Sequence, residues 1–356
     1  MAKILDISWK FIIKQICFVD KEEYDKKIKE KEENKLRLQG IQELIDDNNL
    51  YCIIPYFNFC KSVTRRKLFL EFIERYKNIE NLKLIVIEAS NNKEEFDLPE
   101  NIDGVFDHIA IYIKNIIWIK ENLINIAINK LPKYWKYCSW VDADLTFLNT
   151  NWVNDTIKEL DNCDALQLFE SAVNLGPTGE TFKLDQGFVK QYKTSDREYD
   201  RSHKYGYWHP GYGWAINRKL YDKFVAKNSH ILPDFAILGS GDHHMSLSFI
   251  GCANNSYPDK ISDEYKEKIK NYENVCKKIG ISLGYVNGTI IHHWHGSLKN
   301  RKYVERWQIF IDNNYNPYTD IKYDENGIIE LTEEGSKLIE PIVKYFDERK
   351  EDSVEL

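Results

Sequence analysis

The short apolar run Tyr137–Val141 leads straight into Asp142-Ala143-Asp144. A buried strand ending in acids delivers carboxylates to the carboxyl edge of a sheet, where α/β proteins keep their ligands. Strand residues alternate faces, so Asp142 and Asp144 are expected to point the same way. One Mg²⁺ or Mn²⁺ with oxygen ligands could then bridge them to a diphosphate. A turn or helix N-cap, both of which favour Asp, is the competing reading. Upstream, the apolar runs Leu50–Phe57 and Leu82–Ala89 flank a segment with Leu68, Phe69, Phe72, Ile73 and Tyr76 at helical spacing. Strand, helix and strand in succession imply parallel pairing. The expected fold is therefore α/β: a mostly parallel central sheet flanked by helices, in a single composite domain.

With 356 residues the chain can bury a sizeable core. No internal repeat or Gly/Pro-rich linker breaks it into an array. A formal charge of -7 argues against a general nucleic-acid binder, whose affinity for phosphate backbones comes from Lys and Arg. Seven cysteines at scattered spacings, without Cys-x-x-Cys, suit reduced thiols in a reducing compartment better than a disulfide frame or a zinc site. The N-terminus carries charges every few residues and no apolar run reaches membrane-spanning length, so a soluble cytoplasmic protein is expected. Residues 1–49, dense in Lys and Glu, read as a helical extension with a solvated face.

Further candidates lie along the chain. Glu88 closes a strand-like run, where it could contact a nucleotide ribose or base, or cap the loop after it. Lys120 and Asn125 fall near the start of a helix whose apolar face is Leu123, Ile124, Ala127 and Ile128. A helix start already favours anions, although Lys120 could equally pair with Glu121. In His209–Arg218, glycines flank Tyr212 and permit close backbone approach, so Trp208, Tyr212 and Trp214 could stack on a sugar or form a packed aromatic corner. Gly239-Ser240-Gly241-Asp242 sets an acid at a helix start, where it serves as an N-cap or as a fixed general base. His292-His293-Trp294-His295 offers imidazoles beside carboxylates, with His293 and His295 on one face if the strand continues. The basic loop after it, with Lys299, Arg301 and Lys302, could neutralise phosphates or be a solvated surface loop.

Taken in order, these segments resemble nucleotide-sugar-dependent glycosyltransferases of the GT-A (Rossmann-like) type, in particular soluble bacterial, phage and large-virus enzymes. The resemblance is carried by Ile54-Pro55-Tyr56-Phe57-Asn58 with Arg65-Arg66, by Trp118-Ile119-Lys120-Glu121 with Asn125, and by Trp140-Val141-Asp142-Ala143-Asp144. It continues through Gly213-Trp214-Ala215, Gly239-Ser240-Gly241-Asp242 and His292-His293-Trp294-His295-Gly296 to Tyr345-Phe346 with Arg349. It implies a nucleotide-sugar-binding half over residues 50–150, an acceptor-binding and catalytic half over 151–310, and a C-terminal helical tail over 311–356 with an acidic, frayed end.

By the same resemblance, Pro55, Tyr56, Lys120 and Asn125 lie on the donor side and Asp142 toward the ribose. Asp144 holds Mn²⁺ (or Mg²⁺), completed by His295 or His292. Trp214 meets the sugar, and Asp242 is the base. The implied reaction moves a sugar, from a UDP-sugar in the first instance, to a glycan or other hydroxyl acceptor. Transfer to modified DNA bases, a metal-dependent phosphohydrolase and a non-catalytic sugar-binding module are the alternatives.

Overall fold

The strands at the centre of the molecule alternate two apolar faces, and each face recruits its own helices. On β1 (Leu50–Phe57), Leu50, Cys52, Ile54 and Tyr56 pack on one side with Phe69, Phe72 and Ile73 of α1 (Val63–Tyr76). Tyr51, Ile53 and Phe57 pack on the other with Leu123, Ile124, Ala127 and Ile128 of α2 (Lys120–Lys130). Period 2 on the strand and period 3.6 on the helices together produce helix–sheet–helix layers.

The computed structural model describes residues 26, 29–32, 34, 47–195 and 208–354. The expected helical extension over residues 1–49 lies almost wholly outside them. Asn48–Leu356 belong to one compact unit. After β1 and α1 come β2 (Leu82–Ser90), β3 (Val105–Tyr112), α2, β4 (Tyr137–Val141), β5 (Leu145–Phe147) and α3 (Trp152–Leu160). Then follow β6 (Ala165–Gln167), β7 (Ser171–Leu175), β8 (Thr181–Gln186), α4 (Phe188–Thr194), β9 (Gly213–Asn217), α5 (Arg218–Val225), α6 (Gly241–Phe249) and α7 (Asp263–Ile279). The chain ends with β10 (Leu283–Tyr285), β11 (Thr289–His292), α8 (Leu298–Arg301), α9 (Arg306–Asp312), β12 (Ile321–Tyr323), β13 (Ile329–Leu331) and α10 (Ile339–Glu348).

The fold is α/β, with a seven-stranded sheet in the order β10-β6-β9-β4-β1-β2-β3 flanked by helices. Only β9 opposes its neighbours: it pairs antiparallel with both β4 and β6, while β1 pairs parallel with β2 and β4. A second, four-stranded sheet has the order β5-β11-β7-β8. Among the described residues no helix is long and apolar enough to cross a membrane. Cys52, Cys60, Cys138, Cys163, Cys252 and Cys276 are free thiols.

The C-terminal segment differs from the helical, frayed tail expected. Its strands β12 and β13 form an antiparallel pair, and its last described residues are pinned rather than loose. Asp352 accepts from the backbone N–H groups of Val63 and Thr64 and from the Ser62 hydroxyl, satisfying donors that the start of α1 leaves open. Glu351, buried, takes both Nε and Nη2 of Arg65 at 2.7 Å and Nε of Arg349 at 2.8 Å. Ser353 accepts from the Trp294 indole N–H at 2.8 Å. These contacts fasten the chain end to α1 and to the loop after β11.

Breaking a buried ion pair from one side strands the remaining charge. Glu351→Ala should therefore cost about 3–5 kcal/mol of stability, read as a lowered midpoint in urea unfolding. A variant within about 0.5 kcal/mol of the parent would show that Arg65 and Arg349 do not depend on it.

Candidate active site

Strand β4 stops at Val141 and β5 begins at Leu145, so Asp142-Ala143-Asp144 is the turn where the chain leaves one sheet for the other. The expected continuous strand is not formed. Two backbone hydrogen bonds fix the turn instead: Asp142 N–H donates to the Tyr212 carbonyl and His293 N–H to the Asp144 carbonyl, each at 2.8 Å. Both acids line a cavity of about 620 Å³ at the carboxyl ends of β1 and β4, together with Pro55, Tyr56, Lys120, Glu121, Asp242, His292, His295, Arg301 and Arg306.

Asp144, His292 and His295 place one ligand atom each within 4.8 Å of one another. The Asp144 Oδ2 lies 2.9 Å from His295 Nε2 and 3.7 Å from His292 Nε2, and the two Nε2 atoms are 3.2 Å apart. On its far side His292 Nδ1 donates to Asn174 Oδ1 at 2.9 Å, an oxygen that also accepts from the Tyr212 hydroxyl at 2.6 Å. That bond leaves the neutral His292 with its Nε2 lone pair directed at Asp144, the tautomer a metal requires. Burial lowers His292 against the pull of Asp144, and burial with Arg301 lowers His295, favouring neutral imidazoles. Burial works against ionised Asp144, but the hydrogen bond with His295 and the charge of Arg301 hold its carboxyl well below the usual range. Asp144 Oδ1 is buried without a hydrogen-bond partner. One carboxylate and two imidazoles aimed at a common point fit a divalent cation such as Mn²⁺. His293 turns away: β11 ends at His292, and the His293 Nε2 lies 2.8 Å from the Thr146 hydroxyl.

Asp142 does not join this cluster. Its Oδ1 lies 2.5 Å from Lys120 Nζ, at the first residue of α2. Burial lifts Asp142 above the usual carboxylate range, Lys120 pulls it back, and Asp144 and Asp242 add to the lift. Asp242 follows Gly241 in the first turn of α6; Ser240, with φ 81°, takes the cap position expected for Asp242. The Asp242 Oδ1 accepts from the His243 N–H at 2.8 Å, and its Oδ2 would lie 2.8 Å from a Cβ at Gly211. His209 stacks on Tyr212 at 3.8 Å; burial brings its imidazole down to about 4, with Asp185 and Asp242 opposing.

Several candidates from the sequence stand elsewhere. Trp214 is 1% exposed, its indole N–H donating to the Pro210 carbonyl, and it is absent from the cavity wall. It and Trp208 belong to the packed core, because β9 is an interior strand covered on both faces. Asn125 sits one turn deeper in α2 and bonds the Leu232 backbone and Asp234, tying two segments together away from the cavity. Glu88 caps the loop after β2 by accepting from Asp97 and Leu98 N–H groups, and it also meets His108, so it is held by internal partners off the cavity wall. Lys299 is exposed and off the cavity wall, and Lys302 pairs with Glu348. Of that basic loop, Arg301 alone faces the cavity, buried, with its Nε unpartnered.

Two further wall residues are Arg306, at the end of the basic stretch, and Glu121, named in sequence only as a possible partner of Lys120 and within the resemblance motif. Arg306, buried, donates from Nη2 to the Ser240 hydroxyl at 2.6 Å. Glu121 is 3% exposed. A charged residue on an apolar helical face was its available signal, since Glu121, Ile124 and Ile128 are three and seven positions apart. Burial pushes the Glu121 carboxyl up to about 8, with Lys120 opposing and Asp242 adding to the rise.

A carboxyl whose folded pKa exceeds its unfolded value holds its proton longer in the native state. Its stabilisation is complete below the unfolded pKa and disappears as pH rises through about 8. Stability should thus fall between roughly pH 4.5 and pH 8, by at most about 1.4 kcal/mol per unit, and Glu121→Gln should flatten this decline in urea unfolding at pH 5, 6.5 and 8. An unchanged slope in the variant would show Glu121 to be ionised.

No family model and no curated protein sequence matches the chain. Solved structures do resemble it. One is a mutant of Drosophila β1,4-galactosyltransferase 7 in complex with manganese, UDP-Gal and xylobiose, 12% identical, covering 80% of this chain and 94% of that one, with a TM-score of 0.38. Another is the 4-diphosphocytidyl-2C-methyl-D-erythritol synthase of Anaerococcus prevotii, also 12% identical, covering 68% and 90%, with a TM-score of 0.33.

Proposed function

We propose that the chain is a metal-dependent glycosyltransferase that moves a sugar from a nucleotide-diphosphate sugar, a UDP-sugar in the first instance, to an acceptor hydroxyl. The observation that carries this reading is one cavity wall holding a divalent-metal ligand set, Asp144, His292 and His295, together with a separate carboxylate, Asp242. Three wall residues have buried polar atoms without partners: the donors Trp118 Nε1 and Arg301 Nε suit a polar, anionic ligand, and the acceptor Asp144 Oδ1 suits a cation.

A cation bound there would neutralise the charge that develops on a departing diphosphate. Arg301 adds a fixed positive charge on the same wall. Lys120 orients Asp142, leaving the rest of that carboxylate for a ribose hydroxyl. Asp242, held by the His243 N–H, accepts the proton of the attacking hydroxyl, and attack from the face opposite the leaving group inverts the anomeric centre.

The test is incubation with Mn²⁺, a panel of UDP- and GDP-sugars and simple glycoside acceptors, following both free nucleotide and glycoside product. Asp144→Ala or EDTA should abolish turnover. Survival of activity under both would remove the metal from the mechanism, and release of inorganic phosphate without a glycoside would identify a phosphohydrolase.

Asp242→Asn keeps the oxygen that accepts from His243 while removing the base. Its kcat should fall about 10²–10⁴-fold with donor affinity nearly unchanged. A product whose anomeric configuration, read by NMR, matches the donor's would overturn Asp242 as an inverting base.

A further inference from the structure

We propose that Glu121 selects the transferred sugar, its buried carboxyl donating a hydrogen bond to a ring hydroxyl of the donor. The inference rests on the transferase reading above and adds a specificity residue to it. Glu121 lies on the cavity wall, and among the described residues no other side chain hydrogen-bonds or ion-pairs with it. It stands beside Lys120, whose ammonium is committed to Asp142, and packs against Gly241, next to Asp242. That position is between the groups assigned to the nucleotide and the group assigned to the acceptor, where the transferred ring must lie.

The chemistry of the position favours a hydroxyl as the ligand. A buried carboxyl among other acids keeps its proton at neutral pH; Lys120 and a hydrogen bond from Glu121's own backbone N–H oppose, while burial, Asp242 from α6 and Asp142 from the end of β4 favour the neutral form. Tyr265 of α7 also feels the carboxyl, through a phenol that burial keeps protonated. A neutral carboxyl supplies one donor and one acceptor, the complement of a sugar hydroxyl, without repelling the adjacent diphosphate. A polar site built for a hydroxyl rejects an analogue lacking it, because its own groups are then left unpaired.

Gly241 makes the arrangement possible. A Cβ there would lie 2.3 Å from Glu121 Cγ, 2.5 Å from Cδ and 2.7 Å from Oε1. The helix start therefore admits the carboxyl only while residue 241 lacks a side chain, and Gly241→Ala displaces it without altering Glu121 itself.

Calorimetry in Mn²⁺ with UDP alone and with UDP-galactose, UDP-glucose and UDP-N-acetylglucosamine, followed by kinetics on monodeoxy versions of the preferred donor, tests this. Glu121→Ala and Gly241→Ala should bind UDP as the parent does and lose about ten- to a hundredfold in affinity for the sugar nucleotide. They should also lose the parent's preference for the intact donor over one deoxy derivative, whereas Glu121→Gln, whose amide still donates, should retain most of it. Full sugar-nucleotide affinity and intact discrimination in Glu121→Ala would overturn the proposal, as would an equal loss of UDP affinity, the mark of a merely structural role. Should the parent bind UDP-sugars and transfer nothing, the transferase reading fails while the sugar contact is still decided by the calorimetry. Absence of sugar-nucleotide binding by the parent would overturn both.

Discussion

Everything at the cavity depends on how three residues cross from one sheet to another. Asp142 N–H bonds to the Tyr212 carbonyl beside the seven-stranded sheet, and the Asp144 carbonyl accepts from His293 N–H beside the four-stranded one. A turn pinned at both ends has little freedom, so its two carboxylates are held by backbone hydrogen bonds rather than by their own rotamers. The consequence is a division of labour two residues apart. Asp142, just after the main sheet's β4, meets the lysine at the start of α2, and Asp144, just before β5 of the second sheet, meets the imidazoles at and beyond the end of β11.

Charge is then distributed unevenly around the cavity. Arg65 and Arg349 share Glu351, a residue delivered by the chain's last described turn, and so are balanced. Arg301 and Arg306 have no carboxylate within ion-pair distance among the described residues, although both are buried. An uncompensated buried guanidinium is costly, and it is tolerated where an anion arrives with a ligand. The C-terminal segment therefore does more than close the fold. By occupying two arginines it leaves the other two available to the cavity, a partition that would shift if the chain end detached.

Much of this was legible in the sequence, and where it was not the reasons are physical. Long periodic segments announce themselves: α3 occupies Trp152–Leu160 as its apolar spacing indicates, and β1 and β2 match their apolar runs closely. Strand β3, at a sheet edge and mostly exposed or half-buried, has Asp107-His108 interrupting its apolar residues, and it is missed. Strand β5 is a short piece whose partner β11 lies far along the chain, and β7 and β8, a hairpin across residues 176–180, carry little apolar signal because β8 is almost wholly exposed. At the site, residue types in sequence located Asp144, His292, His295, Asp242 and Arg301 on the cavity wall. Trp214, Asn125 and Glu88 lie off that wall, each satisfying an internal bond, for Trp214 and Glu88 the packed-corner and loop-cap alternatives. Proximity in sequence sets the neighbourhood, but only the register of the strand or the phase of the helix decides which way a side chain faces.

The glycines around Asp242 show the same dependence from the other direction. Gly211, Gly239 and Gly241 read in sequence as permissive backbone near a ligand, yet each is matched to a particular side chain from a distant element. A Cβ at 211 would lie 2.8 Å from Asp242 Oδ2, one at 239 would lie 2.6 Å from Arg306 Nη1, and one at 241 would meet the Glu121 stem. Gly239 additionally adopts φ +92°, so there the backbone and the guanidinium both require its lack of a side chain. Asp242, Arg306 and Glu121 are thus admitted to one wall by three missing methyl groups. A Cβ at any of the three positions would force its partner side chain to shift. The wall is therefore shaped by the backbone of two loops as much as by the side chains those loops accommodate.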